Sequence, residues 1–381
     1  SYVSTDGMAS NKKGIFRFSI PPAHGKVTRY LKDDILVSNI RPYFKKIWLA
    51  DRDGGCSNDI LVFTSNEHCS SEYLYWLLCN DKFFDYASAT AKGTKMPRGD
   101  KNALLDYPIQ KHNRQLQEAI VRILRPFQQQ LAINSRINDH LLEMALSEYK
   151  ELSRQSSSKR TLQDCTSLLC RGGAPKYCEK GKFHALNQRC IRNHKIDDAN
   201  ARRIENPRSR EKLLRYGDIL ICSTGTGTLG RSAQVLCHDE RVTVDSHVTI
   251  VRPAYEALVE YLGCWALSSE DQFESMAKGS TGQTELPRTE LAELEIGFPD
   301  AASLNDFSGK TKPLFEAIQS NVRENQSLEC LRDALLPKLM SGEIDVSRIG
   351  LRQLNGHLVR LRTLVIVSRS TVYCMRAPFV G

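Results

Sequence analysis

Several kinds of chemistry are missing from this chain. No apolar run reaches the roughly 18 residues of a membrane-spanning helix, which argues against an integral membrane protein. H-E-x-x-H, G-x-S-x-G and paired-carboxylate motifs are absent, so the common hydrolase chemistries have no residues to carry them. A DNA amino-methyltransferase should carry Asn or Asp before Pro-Pro and an aromatic residue. Ile20-Pro21-Pro22-Ala23 lacks both ends of that motif. The twelve cysteines include no C-x-x-C pair. Their densest group, Cys165, Cys170, Cys178, His184, Cys190 and His194, matches no zinc-ribbon or finger spacing. No catalytic, cofactor-binding or metal-binding residue is therefore assigned. With no secretory signal before the first repeat, the cysteines read as reduced, mostly buried thiols of a cytoplasmic protein. Residues 347–381 lack any acidic residue and match nothing else in the chain, so they read as a basic appendage.

What is present is ordinary in bulk. Apolar content of 41% and charged content of 25% suit a globular protein, and 381 residues suit two domains, each with its own core. A formal charge of +9 leans toward a polyanionic partner. The arrangement is more informative. From about Asn113 to Lys150, Ile120, Leu124, Phe127, Leu131, Asn134, Asn138, Leu141 and Ala145 recur at alternating steps of four and three. That heptad seam belongs to a helix packing along another helix, and Asn within it sets register at a cost in stability. The pattern returns 187 residues later as Leu314, Ile318, Asn321, Asn325 and Leu328. The chain reads as a tandem repeat in which each copy ends in a long helix.

Other matches tie the copies together. Asp34-Ile35-Leu36 corresponds to Asp218-Ile219-Leu220, Tyr73-Leu74 with Trp76 to Tyr261-Leu262 with Trp265, and Lys92-Gly93-Thr94 to Lys278-Gly279-Ser280. Pro97-Arg98 and Pro287-Arg288 follow in turn. The opening YVSTDGM corresponds to Leu186–Ile191, whereas the second copy has a further strand-and-loop segment over Leu162–Ala185. The first copy is therefore expected to lack about 25 residues of a complete domain.

The loop Gly225–Ser232 (GTGTLGRS) fits G-x-G-x-x-G and nearly fits a phosphate-binding loop, with Arg231 in place of Lys. Both motifs need a helix to start at the last glycine. The following RSAQVLCHDERVTVD alternates and is β-branched, so a glycine-rich turn between strands is expected. Basic loop clusters recur at matching places. The first copy has Lys12, Lys13 and Arg17, then Arg41, Tyr43 and Lys45, then Lys92, Lys95 and Arg98. The second has Arg171, Lys176 and Tyr177, then Gln188 and Arg189, then Arg231, then Lys278, Gln283 and Arg288. Arg and Lys neutralise phosphates, and Arg and Gln read guanine and adenine edges in the major groove.

Leu328–Val346 (LECLRDALLPKLMSGEIDV) strongly resembles the terminal segment of specificity subunits of type I restriction-modification enzymes. RYGDILICSTGTGTLGRSAQV, DSHVTIVRP and KGSTGQTELPRTELAELEIGFP in the second copy share the resemblance. It extends over nearly the whole chain to about Ile349, more loosely in the first copy. The resemblance implies an α+β protein with two tandem target recognition domains, each followed by a long helix, the two helices pairing as an antiparallel coiled coil. It places the first domain at 1–110, helices at 111–152 and 306–346, a Ser-rich basic linker at 153–161, the second domain at 162–305 and the unmatched tail at 347–381. It also implies a non-catalytic subunit that binds double-stranded DNA at a split site and carries two methyltransferase and two restriction subunits. S-adenosylmethionine, ATP and magnesium would belong to those partners. Helix pairing is expected to use Leu124, Leu131, Asn134, Asn138 and Leu141 against Ile318, Asn321, Asn325 and Leu328. The physics is compatible: about 30 helical residues extend about 45 Å, and one DNA turn is about 34 Å. A coiled-coil scaffold whose globules bind proteins remains the alternative.

Overall fold

The computed structural model describes residues 1–94, 96–237, 240–279 and 284–346, apart from the side chain of Ala199. The expected tail at 347–381 lies outside the described residues. The described chain separates into two compact units, one of Ser1–Ala132 with the described residues from Asn325 onward, the other of Ile133–Glu324. Each unit mixes short strands, short helices and parts of two long helices.

The first unit opens with β1 (Tyr2–Val3), β2 (Thr28–Tyr30), β3 (Ile35–Ser38), β4 (Ile47–Leu49), β5 (Gly54–Cys56) and β6 (Ile60–Phe63). They form two three-stranded sheets, β1-β5-β2 and β4-β3-β6. The run ILVS makes β3 the central strand, paired on both edges and buried throughout. Three short helices follow: α1 (Ser71–Leu78), α2 (Asp81–Ala89) and α3 (Lys101–Leu105). Each starts on a polar residue, Ser70, Asn80 or Asp100, whose side chain accepts a backbone N–H of the first turn, as helix N-termini require. Then comes α4 (Arg114–Gln155), 42 residues long, with Asn113 Oδ1 accepting the Leu116 N–H at 2.9 Å. The core joins Ile35, Val37, Trp76, Phe83 and Phe84 to Ile120 and Leu124 of α4 and to Leu336 and Leu339 near the end of the second long helix.

The second unit contains β7 (Ser158–Thr161), β8 (Thr166–Arg171), β9 (Phe183–Leu186), β10 (Ile191–Arg192), β11 (Lys195–Ile196), β12 (Arg202–Ile204), β13 (Ile219–Cys222), β14 (Ser232–Gln234), β15 (Val242–Val244) and β16 (Val248–Pro253). After these come α5 (Val259–Ser268), α6 (Glu270–Ser275), α7 (Arg288–Glu293), β17 (Glu295–Phe298) and α8 (Ala301–Met340). Its sheets are β14-β13-β16-β8, β12-β9-β15, β17-β7 and the hairpin β10-β11. Ala145 and Tyr149 of α4 and Phe307 and Phe315 of α8 close the core over Tyr261, Trp265 and Phe273.

Two boundaries differ from the sequence reading. Residues 153–161, expected as a linker, are the last turn of α4 followed by β7, which pairs antiparallel with β17 from Ser158↔Phe298 to Thr161↔Glu295. A polar, solvent-facing strand has the composition of a linker, and its partner is remote in sequence. The second long helix runs over Ala301–Met340 rather than 306–346. It starts where Asp300 Oδ1 accepts the Ser303 N–H at 2.8 Å.

Single hydrogen bonds recur at matching sequence positions of the two units. Asp34 accepts the Leu31 N–H at 2.8 Å, and Asp218 accepts the Arg215 N–H at 2.8 Å. Asp34 carbonyl receives Ala50, and Asp218 carbonyl receives Val235. Gly99 N–H reaches Asn39 carbonyl, and Leu286 N–H reaches Ser223 carbonyl. The left-handed pairs Asn11-Lys12 and Asn193-His194 turn corresponding hairpins. A strand corresponding to β8 is absent from the β4-β3-β6 sheet among the described residues.

Candidate nucleic-acid interface

The registers bring one end of each central sheet into focus. In the second unit, Cys222 of β13 lies opposite Val248 of β16, Ile221 opposite Ser232 of β14, and Thr249 opposite Arg171 of β8. The loops leaving that end carry Thr224, the Gly225–Gly230 turn, Arg231 and His247. Cys222 Sγ donates to Gln188 carbonyl at 3.8 Å, tying the Gln188–Arg189 loop to the same place. Bridges Thr224↔Glu285 and Lys278↔Glu285 bring in Lys278. Thr224 Oγ1 and His247 Nδ1 share a 2.6 Å hydrogen bond. Gly225, Gly227 and Gly230 all have positive φ, and the Thr228 and Leu229 N–H groups both reach Gly225 carbonyl. The loop is thus a turn leading into β14, and no helix starts there to present amides to a nucleotide phosphate.

The first unit builds the same end from β3, β4 and β6. Its Asn39–Lys46 loop carries Arg41, Tyr43 and Lys45, and bridges Ile40↔Arg98 and Lys92↔Arg98 add the second basic segment. Arg41 and Lys45 have φ of 50° and 52° around the turn Pro42–Phe44. Left-handed backbone at a non-glycine residue costs about 1–2 kcal/mol. Tertiary contacts hold the turn, among them the Arg41 N–H to Pro97 carbonyl at 2.8 Å. Tyr43 is half exposed at 51%. Arg98 pairs with Asp59 at 2.9 Å and Lys92 with Asp100 at 2.6 Å, but both cations remain largely in water.

Not every expected residue is available to a ligand. Lys12 is buried, with its ammonium 3.1 Å from Asp81 and 2.9 Å from Asp333. It is an internal ion-pair partner and cannot serve as a phosphate contact. Lys13 lies 3.8 Å from Glu329 of α8, so the hairpin tip faces the helices. Lys45 pairs with Asp81 at 2.9 Å. Arg171 is held by Glu285 at 2.7 Å and by Leu286 carbonyl at 2.8 Å. Lys278 pairs with Glu290, and Arg288 Nη1 points to Leu169 carbonyl at 3.5 Å. Arg17 is exposed and lies over the Phe16 ring, and Lys176 and Arg189 are exposed. Lys95 and Gln283 lie outside the described residues.

The sequence reading missed His247, Thr224 and Arg202, because an isolated His, Thr or Arg carries no spacing signal. Asp245, beside His247, has its pKa raised by burial, while the His247 N–H, His247 and Arg202 pull it back. Glu270 is pushed up by burial but drawn net downward by His194 and the Ser232 N–H. Among the described residues no group of three or more His, Cys, Asp or Glu side chains could hold a metal ion. No described helix is long and apolar enough to cross a membrane.

Along the helices, Asn134 Nδ2 donates to Glu324 at 2.9 Å and Asn321 Nδ2 donates to Asn138 at 2.8 Å. Four residues forward on α4 is three residues back on α8. Leu124 and Ile318 are buried, whereas Leu131, Leu141, Asn321, Asn325 and Leu328 are half-buried.

No protein-family model matches the chain. It is 23% identical over 314 residues to the type I restriction enzyme MjaIX specificity subunit of Methanocaldococcus jannaschii, covering 73% of this chain and 70% of that protein. A shorter stretch of 84 residues is 33% identical to the HindI specificity subunit of Haemophilus influenzae, covering 22% of this chain and 18% of that protein. Among solved structures, the S subunit of a type I restriction-modification system from M. genitalium aligns over 88% of this chain and 91% of its own length. The identity is 18% and the TM-score 0.44. By sequence, the chain is similar to specificity subunits of type I restriction enzymes.

Proposed function

We propose that this chain is the non-catalytic DNA-recognition subunit of a type I restriction-modification complex. Each unit reads one half of a split duplex site, and partner subunits methylate adenine and restrict. S-adenosylmethionine, ATP and magnesium act on those partners. The observation that carries the reading is the convergence of basic and polar loops, from separate stretches of chain, at the same end of the central sheet in both units. Arg41 and Tyr43 with Lys92 and Arg98, and Gln188 with Arg231, His247 and Lys278, give each unit cations for phosphates and forked or amide groups for base edges. The two sets differ in residue type, so the half-sites differ.

The test is an exchange of residues 158–300 for the corresponding domain of a relative, with β7 included because it pairs with β17. With the methyltransferase partner present, the methylated motif should change in one half only. A change in both halves, or in neither, would refute the assignment. A protein-binding scaffold would instead show DNA affinity indifferent to salt, whereas phosphate contacts make it fall steeply.

The long helices act as the spacer, paired antiparallel along the Asn-containing seam. The opposite progression of Asn134–Glu324 and Asn138–Asn321 supports that pairing. Asn138→Leu leaves the Asn321 amide without its buried partner and should cost about 1–3 kcal/mol. Asn138→Leu with Asn321→Leu should recover most of that, because both polar groups leave together. Urea unfolding of the three proteins checks it, and equal midpoints would remove the seam hydrogen bond from the account.

A further inference from the structure

We propose that Arg202 reads a guanine in the half-site of the second unit, its guanidinium held in place by Tyr177. The inference rests on the DNA-recognition reading above and adds a residue that the sequence did not suggest.

Arg202 opens β12, opposite Ala185 of β9. The neighbouring turn is tied to the Gln188 loop, because Asn187 Nδ2 donates to Asn200 carbonyl at 2.7 Å. Arg202 therefore stands at the end of its sheet where Gln188, the Gly225 turn and His247 converge. Its Cζ lies 3.4 Å from the centroid of the Tyr177 ring. The Tyr177 backbone is itself anchored, since it forms a bridge with Ile204 two residues along β12. The Arg202 side chain is exposed; its charge acts on the Asp245 carboxylate, but among the described residues its guanidinium forms no hydrogen bond.

The contrast with neighbouring arginines makes this informative. Arg171 is taken up by Glu285 and Leu286 carbonyl, Arg208 by Ala174 carbonyl, and Arg252 by Asp218 with two carbonyls. Arg202 alone of these is fixed by stacking on one face, with its donor edge left over. Stacking restricts the side-chain rotamers before a ligand arrives, so less freedom is lost when hydrogen bonds form. A planar fork of N–H donors not already hydrogen-bonded within the protein matches two acceptors side by side, the arrangement that guanine O6 and N7 present in the major groove. A phosphate offers similar acceptors, and the two sources differ in what a lysine can replace. A point charge still neutralises phosphate but loses the fork that a base edge requires.

The experiment expresses the full chain with its methyltransferase partner in a host free of other such systems and maps methylated adenines genome-wide. Wild type should yield a two-part motif. Arg202→Ala and Arg202→Lys should both make one guanine of one half degenerate, with its preference over other bases falling about 10-fold or more. Tyr177→Leu should relax the same position less. The other half should stay unchanged in every variant, which also reports that the assembly has folded. An unchanged motif in Arg202→Ala would overturn the inference. So would uniformly weaker methylation that Arg202→Lys restores, because that pattern marks a phosphate contact. A wild-type chain giving no two-part motif would overturn the DNA-recognition reading itself, and this inference with it.

Discussion

Arg252→Met should destabilise the second unit by about 3–5 kcal/mol, the usual consequence of leaving a buried charge without its counter-ion. Asp218 is fully buried and Arg252 nearly so. The guanidinium donates to Asp218 Oδ1 and Oδ2, both at 2.7 Å, to Glu211 carbonyl at 3.1 Å and to Leu213 carbonyl at 2.9 Å. Asp218 also accepts the Arg215 N–H at the turn that starts β13. Removing the cation thus unbalances the turn and the central strand together. In the first unit the corresponding carboxylate, Asp34, is served by the Thr64 hydroxyl at 2.8 Å, a neutral solution to the same problem. The measurement is thermal or urea unfolding, followed by a probe in the second unit because a two-unit chain need not unfold in one step. Asp218→Asn with Arg252→Met should recover a substantial part of the loss. A wild-type midpoint for Arg252→Met alone would show that the pair contributes nothing.

Lys12→Met should cost the first unit about 2–3 kcal/mol. The loss is smaller than for Arg252 because Asp81 and Asp333, at 52% and 38% side-chain exposure, keep part of their hydration. Methionine fills similar space, so the effect isolates the charge. Burial pushes the pKa of Asp333 up, but Arg332 and Lys12 draw it net below the ordinary carboxylate range. Lys12 and Lys45 do the same for Asp81. A carboxylate depressed in the folded state stabilises above its unfolded pKa, and that stability is lost as pH falls through the folded one. The gap between wild type and Lys12→Met should therefore be widest near neutral pH and close below about pH 4. A gap that did not change with pH would assign the loss to packing. The matching hairpin in the second unit places His194 3.6 Å from Glu270 and Lys195 2.7 Å from Asp139 of α4. In both units, then, this hairpin tip contacts the start of a short helix and a long helix.

That outcome shows how far the sequence could be read. The seam from Ile120 to Ala145 and its copy at Leu314–Leu328 specify long helices through spacing alone, because a helix repeats every few residues whatever surrounds it. Asp34-Ile35-Leu36 and Asp218-Ile219-Leu220 likewise mark a turn and a buried strand, since the chemistry of both is local. The turn at Gly225–Gly230 was legible for the same reason: the β-branched run after it excluded a helix.

The site was legible only as a pool of basic residues. Lys12 and Lys13 are adjacent and alike in sequence, yet one is buried between two carboxylates and the other is exposed beside a third. Their partners lie as far away as Asp333 and Glu329. Arg171, Arg202 and Arg252 also look alike until folding supplies Glu285 to the first, an aromatic face to the second and a buried carboxylate to the third. By itself the sequence determined the periodic elements and the excess of positive charge. Which cations remain available to a ligand was decided by tertiary structure, because an ammonium or guanidinium is spent or available according to the acceptors that folding places beside it.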